Sequence, residues 1–230
     1  MKLSPEQIDR LYEFTRQHYV EYYDLQTELV DHLANAIEEQ WQENPKLSFE
    51  TALDIEFRKF GVFGFMDVVE KRQIALNKKY NQIVVNQLKT FFTIPKIIGT
   101  FSAIVVMFYI LKLLQGIEYL IPIIIIGMMI LFFVGLNILA RKAKRHFKKI
   151  GKKWILNEII LGYSSVSANS FLIIQVAGHF TEINNNQWLL WFWSIFTVLL
   201  ALTIYIILIL VPSKAQEYLK QTYPEYEFVS

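Results

Sequence analysis

The chain has 230 residues, 53% of them hydrophobic, with a mean hydropathy of +0.30 and a net charge of only +2. That is too apolar for an ordinary soluble domain of this size, so the chain has to be read in parts. With no cysteine, disulfides, thiolate metal ligands and a thiol nucleophile are all excluded.

The parts differ in charge. Residues 1–88 carry 10 Lys/Arg against 15 Asp/Glu, and residues 89–230 carry 13 against 6. An acidic head therefore precedes a basic, apolar body. The opening residues MKLSPEQIDRLYEF lack the apolar run of a signal peptide, so the head is expected on the side where it is made.

In the head, Ser4-Pro5-Glu6-Gln7 has the form of an N-cap, a proline at the first helical position and a Gln completing a capping box. This predicts a helix over about 5–22 with Ile8, Leu11, Phe14 and Tyr19 inward. Asp24 is placed to cap a second helix whose stripe is Leu25, Leu29, Leu33, Ala36, Ile37 and Trp41, and Asn44-Pro45 ends it. Ser48 caps a third helix bearing Phe49, Ala52, Leu53, Phe57 and Phe60, and Gly61 stands where a helix C-terminus favours positive φ. Gly64 opens a fourth helix with Phe65, Val68, Val69 and Ile74, running toward the membrane until Pro95.

The polar side of the second helix is the first candidate site. Asp31, Asn35, Glu38, Glu39 and Gln42 lie off the apolar stripe, and Glu28 with His32 forms an i, i+4 pair at its border. Such a pair can supply two metal ligands, yet the two-histidine spacing of an HExxH helix is missing, and of the remaining histidines only His18 is near in sequence. The expectation is a histidine bordering the core beside a solvated acidic face, with no metal and no cofactor. The face, Glu28, Asp31, His32, Glu38 and Glu39, is the candidate protein-interaction surface.

These residues carry a resemblance. Glu28 to Glu39 (ELVDHLANAIEE), then Phe49 to Gly61 (FETALDIEFRKFG) and Met66 to Glu70 (MDVVE), are similar to the small helical HAAS, or permease-prefix, domain. That family has an E-L-x-x-H-x-x-x-x-I-E-E helix before an S-x-x-E-A-x-x-x-A-x-x-x-F-G helix, commonly ahead of membrane spans. Where the family continues Gly-Asp-Pro, this chain has Val62-Phe63-Gly64 after Gly61. The likeness covers about the first third of the chain. It implies a cytosolic interaction or signalling module of bacterial origin and brings no catalytic residues with it.

Four apolar runs follow, about 94–114, 119–140, 154–176 and 188–211, each close to the roughly 20 residues that cross a hydrocarbon core as a helix. They lack the alternation that a membrane barrel requires. The fold class expected is therefore all-α: a cytosolic helical head over 1–88, a four-span domain over 89–211 and a tail over 212–230. The second connector carries Arg141, Lys142, Lys144, Arg145, Lys148, Lys149, Lys152 and Lys153, whereas the first and third connectors have no Lys or Arg. Positive-inside reasoning puts the basic connector, the head and the tail in the cytoplasm of an inner-membrane protein. Trp154 and Trp188 are placed as interfacial anchors, and Lys112 is placed to snorkel outward.

The connector admits three readings: a topology signal, a basic amphipathic helix on anionic lipid through Ala143, Phe147, Ile150 and Trp154, or a receptor for the acidic head. The third span is the polar one. Glu158, Gly162, Ser165 and Asn169 share a face, with Ser164, Ala168 and Gln175 adjoining. Helix packing explains such a face, and a substrate or lipid path is the other reading. Glu158 lies one turn from Trp154, within reach of water or Lys152, which favours an ion pair over a proton relay.

No P-loop, G-x-S-x-G elbow or dinucleotide fingerprint occurs. The basic run abuts two spans, so anionic lipid is a more economical partner than nucleic acid. The expectation is a non-enzymatic regulatory or accessory membrane subunit that meets a membrane-protein partner or a second copy. A small transporter or lipid-handling protein is the alternative.

Overall fold

The computed structural model describes residues 2–114, 116, 117, 119–162 and 187–223. Every regular element among them is helical: α1 (Pro5–Gln17), α2 (Tyr23–Glu43), α3 (Phe49–Arg58), α4 (Met66–Thr90), α5 (Lys96–Leu113), α6 (Leu120–Ile150), α7 (Ile155–Gly162), α8 (Gln187–Tyr205) and α9 (Ala215–Thr222). A π-helical segment, Ile206–Leu210, and a helical turn, Val211–Ser213, extend α8. The chain forms two compact units, Met1–Lys78 with Phe147–Leu156, and Lys79–His146 with Asn157–Ser230.

In the first unit the local signals act as expected at several helix ends. The Ser4 hydroxyl accepts from the Gln7 N–H at 3.3 Å and the Gln7 amide oxygen accepts from the Ser4 N–H at 2.8 Å, closing the capping box. Ser48 accepts from the Thr51 N–H at 3.2 Å at the start of α3. Leu25, Leu29, Leu33, Ile37 and Trp41 bury the stripe of α2, which ends before Asn44.

Three expectations in the head are corrected. First, α1 stops at Gln17, and Tyr19, expected inward, is 78% exposed with φ +65°. At 100° per residue Val20 would lie on the side of α1 opposite Leu11. Breaking the helix turns Val20 into the core, where it is fully buried and its carbonyl accepts from Gln26 Nε2 at 2.6 Å. Second, Asp24 does not cap α2. The helix starts at Tyr23 with Tyr22 as an N-cap whose side chain makes no capping bond, and Asp24 is buried in the first turn. Third, Ile74 is 61% exposed, because α4 turns Val69 and Leu76 inward, and Ile74 lies about 140° around the helix from Val69.

Aromatic rings fill the centre of this unit. Phe57 meets Phe14 at 5.1 Å and Phe65 at 5.0 Å, and Phe65 meets Phe60 at 4.8 Å, all edge-on. The α3–α4 turn that brings Phe65 back needs two left-handed residues, Gly61 (φ +77°) and Gly64 (φ +54°). At Gly64 a Cβ would lie 2.9 Å from the Phe57 ring.

The second unit holds three helices long and apolar enough to cross a membrane: Lys96–Leu113, Leu120–Arg145 and Gln187–Ser213. Phe108 and Leu111 of α5, Ile121, Ile125 and Met129 of α6, and Leu190 and Trp193 of α8 form one core. Phe132, Ile204 and Ile207 form a second, beside which Leu208 closes on Gly135 so tightly that a Cβ there would require the Leu208 side chain to shift. Exposed Ile98, Phe101, Ile123, Ile130 and Leu131 present the apolar surface a lipid-facing helix requires. α9 is held to α4 by Lys79 Nζ donating to Thr222 Oγ1 at 2.8 Å and Gln87 Nε2 donating to Tyr218 Oη at 3.0 Å. Of the expected span 154–176, α7 covers Ile155–Gly162, and 163–176 lie outside the described residues.

Candidate functional site

The second connector is not a separate helix. α6 continues from the apolar run through Ile150, because no helix breaker intervenes before Gly151, which takes φ +72°. Arg141, Lys142, Lys144, Arg145 and Lys148 are exposed along this extension, and the side chain of Lys149 is outside the described set. Lys152 and Lys153, beyond the break, belong with the head.

There the segment Gly151 to Leu156 lies on the turn between α1 and α2. The Tyr23 N–H donates to the Lys153 carbonyl at 2.7 Å, and the Ile155 N–H reaches an Asp24 carboxylate oxygen at 3.4 Å. Lys153 Nζ pairs with Glu21 at 2.9 Å and lies 4.8 Å from the centre of the Tyr22 ring. Lys152 Nζ sits 4.0 Å above the Tyr23 ring, and Trp154, 3% exposed, meets Tyr23 edge-on at 5.5 Å. Trp154, expected at a lipid interface, is instead packed on the head, whereas Trp188 is 84% exposed. Burial decides the energetics: the Glu21 side chain is 71% exposed, so the ion pair is worth about 0–1 kcal/mol, against about 1.5–3 kcal/mol for burying a large apolar side chain.

An open groove of about 770 Å³ runs beside this contact, within the size range of small-ligand sites. Asp9, Tyr12 and Arg16 of α1 form one wall; Val20, Glu21, Tyr23 and Gln26 form the turn; Gly151, Lys152 and Lys153 close it.

The residues singled out on α2 do not form one constellation. Glu28 reaches Arg72 of α4 at 3.4 Å, so its close partner is an arginine rather than His32. His32 is exposed, its ring 6.0 Å from that of Phe60. Glu38 Oε1 accepts from the Leu3 N–H at 3.0 Å, tying down the N-terminus, while Asp31 and Glu39 are exposed. His18 packs 4.3 Å from Phe57, and its Nδ1 lies 2.8 Å from the Phe14 carbonyl. Among the described residues no three His, Asp or Glu side chains are grouped to hold a metal ion.

Glu158 is half-buried in the first turn of α7. Ser165, Asn169 and Gln175, its expected companions, lie outside the described residues. The residues that sequence reasoning missed are Glu21, Tyr22 and Tyr23, with Asp24 read only as a helix cap. Their signal is a carboxylate–aromatic run at a helix break, complementary to the Lys-Lys-Trp at 152–154. No protein-family model, curated protein or solved structure matches this chain.

Proposed function

We propose that the chain is a non-enzymatic integral inner-membrane protein, a regulatory or accessory subunit whose helical head binds a partner protein. It crosses the membrane four times, with 154–176 as the third span and both termini in the cytoplasm. Three long apolar helices support the membrane reading. The charge contrast between the connectors supports the orientation.

The observation that carries the regulatory reading is the seating of residues 151–156 on the head, through the Tyr23–Lys153 backbone bond and the buried Trp154. The proposed third span begins within this segment. A partner that remodels the α1–α2 turn thereby acts on the start of that span through covalent continuity, with no diffusible product. The exposed acids Asp31 and Glu39 offer the partner a charged surface beside this turn's helix.

The test is affinity purification of the full chain from native membranes, in parallel with Asp31→Lys/Glu39→Lys. A defined partner retained by the parent and lost by the variant supports the subunit reading. A chain that purifies alone and moves solute or lipid in reconstituted vesicles, with that movement abolished by Ser165→Ala/Asn169→Ala, overturns it in favour of transport.

A further inference from the structure

The groove beside the connector contains charges that the head's own contacts leave over. Lys153 is matched by Glu21 at 2.9 Å. No ion pair among the described residues engages Arg16, Lys152 or Asp9, and all three line the groove. Lys152 is half-buried, and its ammonium is held 4.0 Å over the Tyr23 ring, which keeps it at the groove rather than swinging in solvent. Arg16, an exposed residue of α1, lines the same groove. A planar five-donor fork and a point cation lining one groove make a donor set that oxyanions, phosphates above all, recognise.

We infer that this groove is a binding site for a phosphodiester monoanion, held between Arg16 and Lys152. Two features select the diester. Asp9, on the Arg16 wall, opposes a second negative charge, which disfavours phosphomonoester dianions and inorganic phosphate. The tyrosines Tyr12 and Tyr23 and the open end of the groove leave room for the two ester substituents. A phosphodiester of this kind is the headgroup linkage of a glycerophospholipid, and its water-soluble source is the deacylated glycerophosphodiester. The lipid source rests on the membrane orientation proposed above, whereas the phosphodiester chemistry rests on the groove alone. Because Lys152 is in the segment seated on the head, an occupant would bridge α1 to the connector and tighten that seat.

The test is calorimetric titration of the full chain in neutral detergent with a short-chain phosphatidylglycerol, with glycerophosphoglycerol and with glycerol phosphate. Saturable one-to-one binding of a diester, weakened at least about tenfold in Arg16→Gln/Lys152→Gln and unchanged in Lys46→Gln/Lys71→Gln, exposed cations of the head outside the groove, is expected. Binding of the lipid alone assigns the membrane as source, and equal binding of glycerophosphoglycerol assigns a soluble diester. Asp9→Asn provides a gain-of-affinity arm that a folding defect cannot mimic, since it should admit glycerol phosphate, which the parent rejects. No diester binding, equal binding by the Arg16→Gln/Lys152→Gln variant, or preference of the parent chain for the monoester overturns the inference. Failure of partner co-purification leaves all of these readouts unchanged, so the two proposals fall separately.

Discussion

Trp154 and Tyr23 meet edge to face with ring centroids 5.5 Å apart, 131 positions apart in the chain, and Trp154 is 3% exposed. The contact joins the residue that follows the lysine pair to the first residue of α2. Trp154 shares the apolar burial of the connector segment with Ile155 and Leu156, which are 1% and 0% exposed.

Trp154→Ala should therefore remove about 3 kcal/mol from the seating of the segment, in the range of large-to-small substitutions at buried aromatic sites. Limited proteolysis of the detergent-solubilised chain should show cleavage after Lys152 or Lys153 rising well above that of the parent. An unchanged cleavage rate would mean that the backbone bond from Tyr23 to Lys153 holds the segment without the ring.

The Lys153–Glu21 pair should contribute far less. With Glu21 71% exposed, a double-mutant cycle of Lys153→Ala and Glu21→Ala should give a coupling of about 0.2–1 kcal/mol that shrinks with added salt. A coupling several times larger and insensitive to salt would show that the pair is desolvated.

Two glycines of the α3–α4 turn should respond differently to alanine. Both have positive φ, so each substitution carries a backbone cost of about 1 kcal/mol. At Gly61 the added methyl meets open space, whereas at Gly64 it meets the Phe57 ring at 2.9 Å. Thermal unfolding should place Gly64→Ala below Gly61→Ala. Phe57→Leu, which shortens the clashing side chain, should narrow the difference.

Among the described glycines of the membrane unit given a Cβ, Gly135 is the one crowded, by Leu208. Gly135→Leu should separate α6 from the π-helical extension of α8 and lower the melting temperature in detergent, while Gly127→Leu, with nothing within 4 Å of its Cβ position, should leave it near the parent value. Pairing Gly135→Leu with Leu208→Ala should restore part of the loss, as volume-compensating changes do.

The cysteine-free sequence makes topology directly testable. Single cysteines in place of Lys2 and Lys144 should react with a membrane-impermeant reagent only from the cytoplasmic side, and one in place of Gln187 only from the opposite side. Labelling of Lys2→Cys and Lys144→Cys from different sides would overturn the four-span orientation.

The all-helical character, three long apolar helices, the capping box at Ser4, the cap at Ser48 and the buried stripe of α2 were legible in the amino-acid sequence. Each depends on neighbours within a few positions: a run long enough to span hydrocarbon, a hydroxyl before a helix, or a spacing of three and four. Even locally the reading failed where two demands competed. The capping and periodicity of the first helix favoured continuation to residue 22, but burying Val20 on the same side as Leu11 required the break at Tyr19.

What only the tertiary structure decided is which distant residues meet. Glu28 goes to Arg72, Leu208 lies on Gly135, and the connector's last lysines fall on Glu21 and the two tyrosines. No periodicity encodes these pairs, because the segments are joined by long stretches whose closure costs little more for one register than for another. The choice is made by burial: seating the segment after Gly151 on the α1–α2 turn takes Trp154, Ile155 and Leu156 out of water and brings the Ile155 N–H to the buried Asp24 carboxylate.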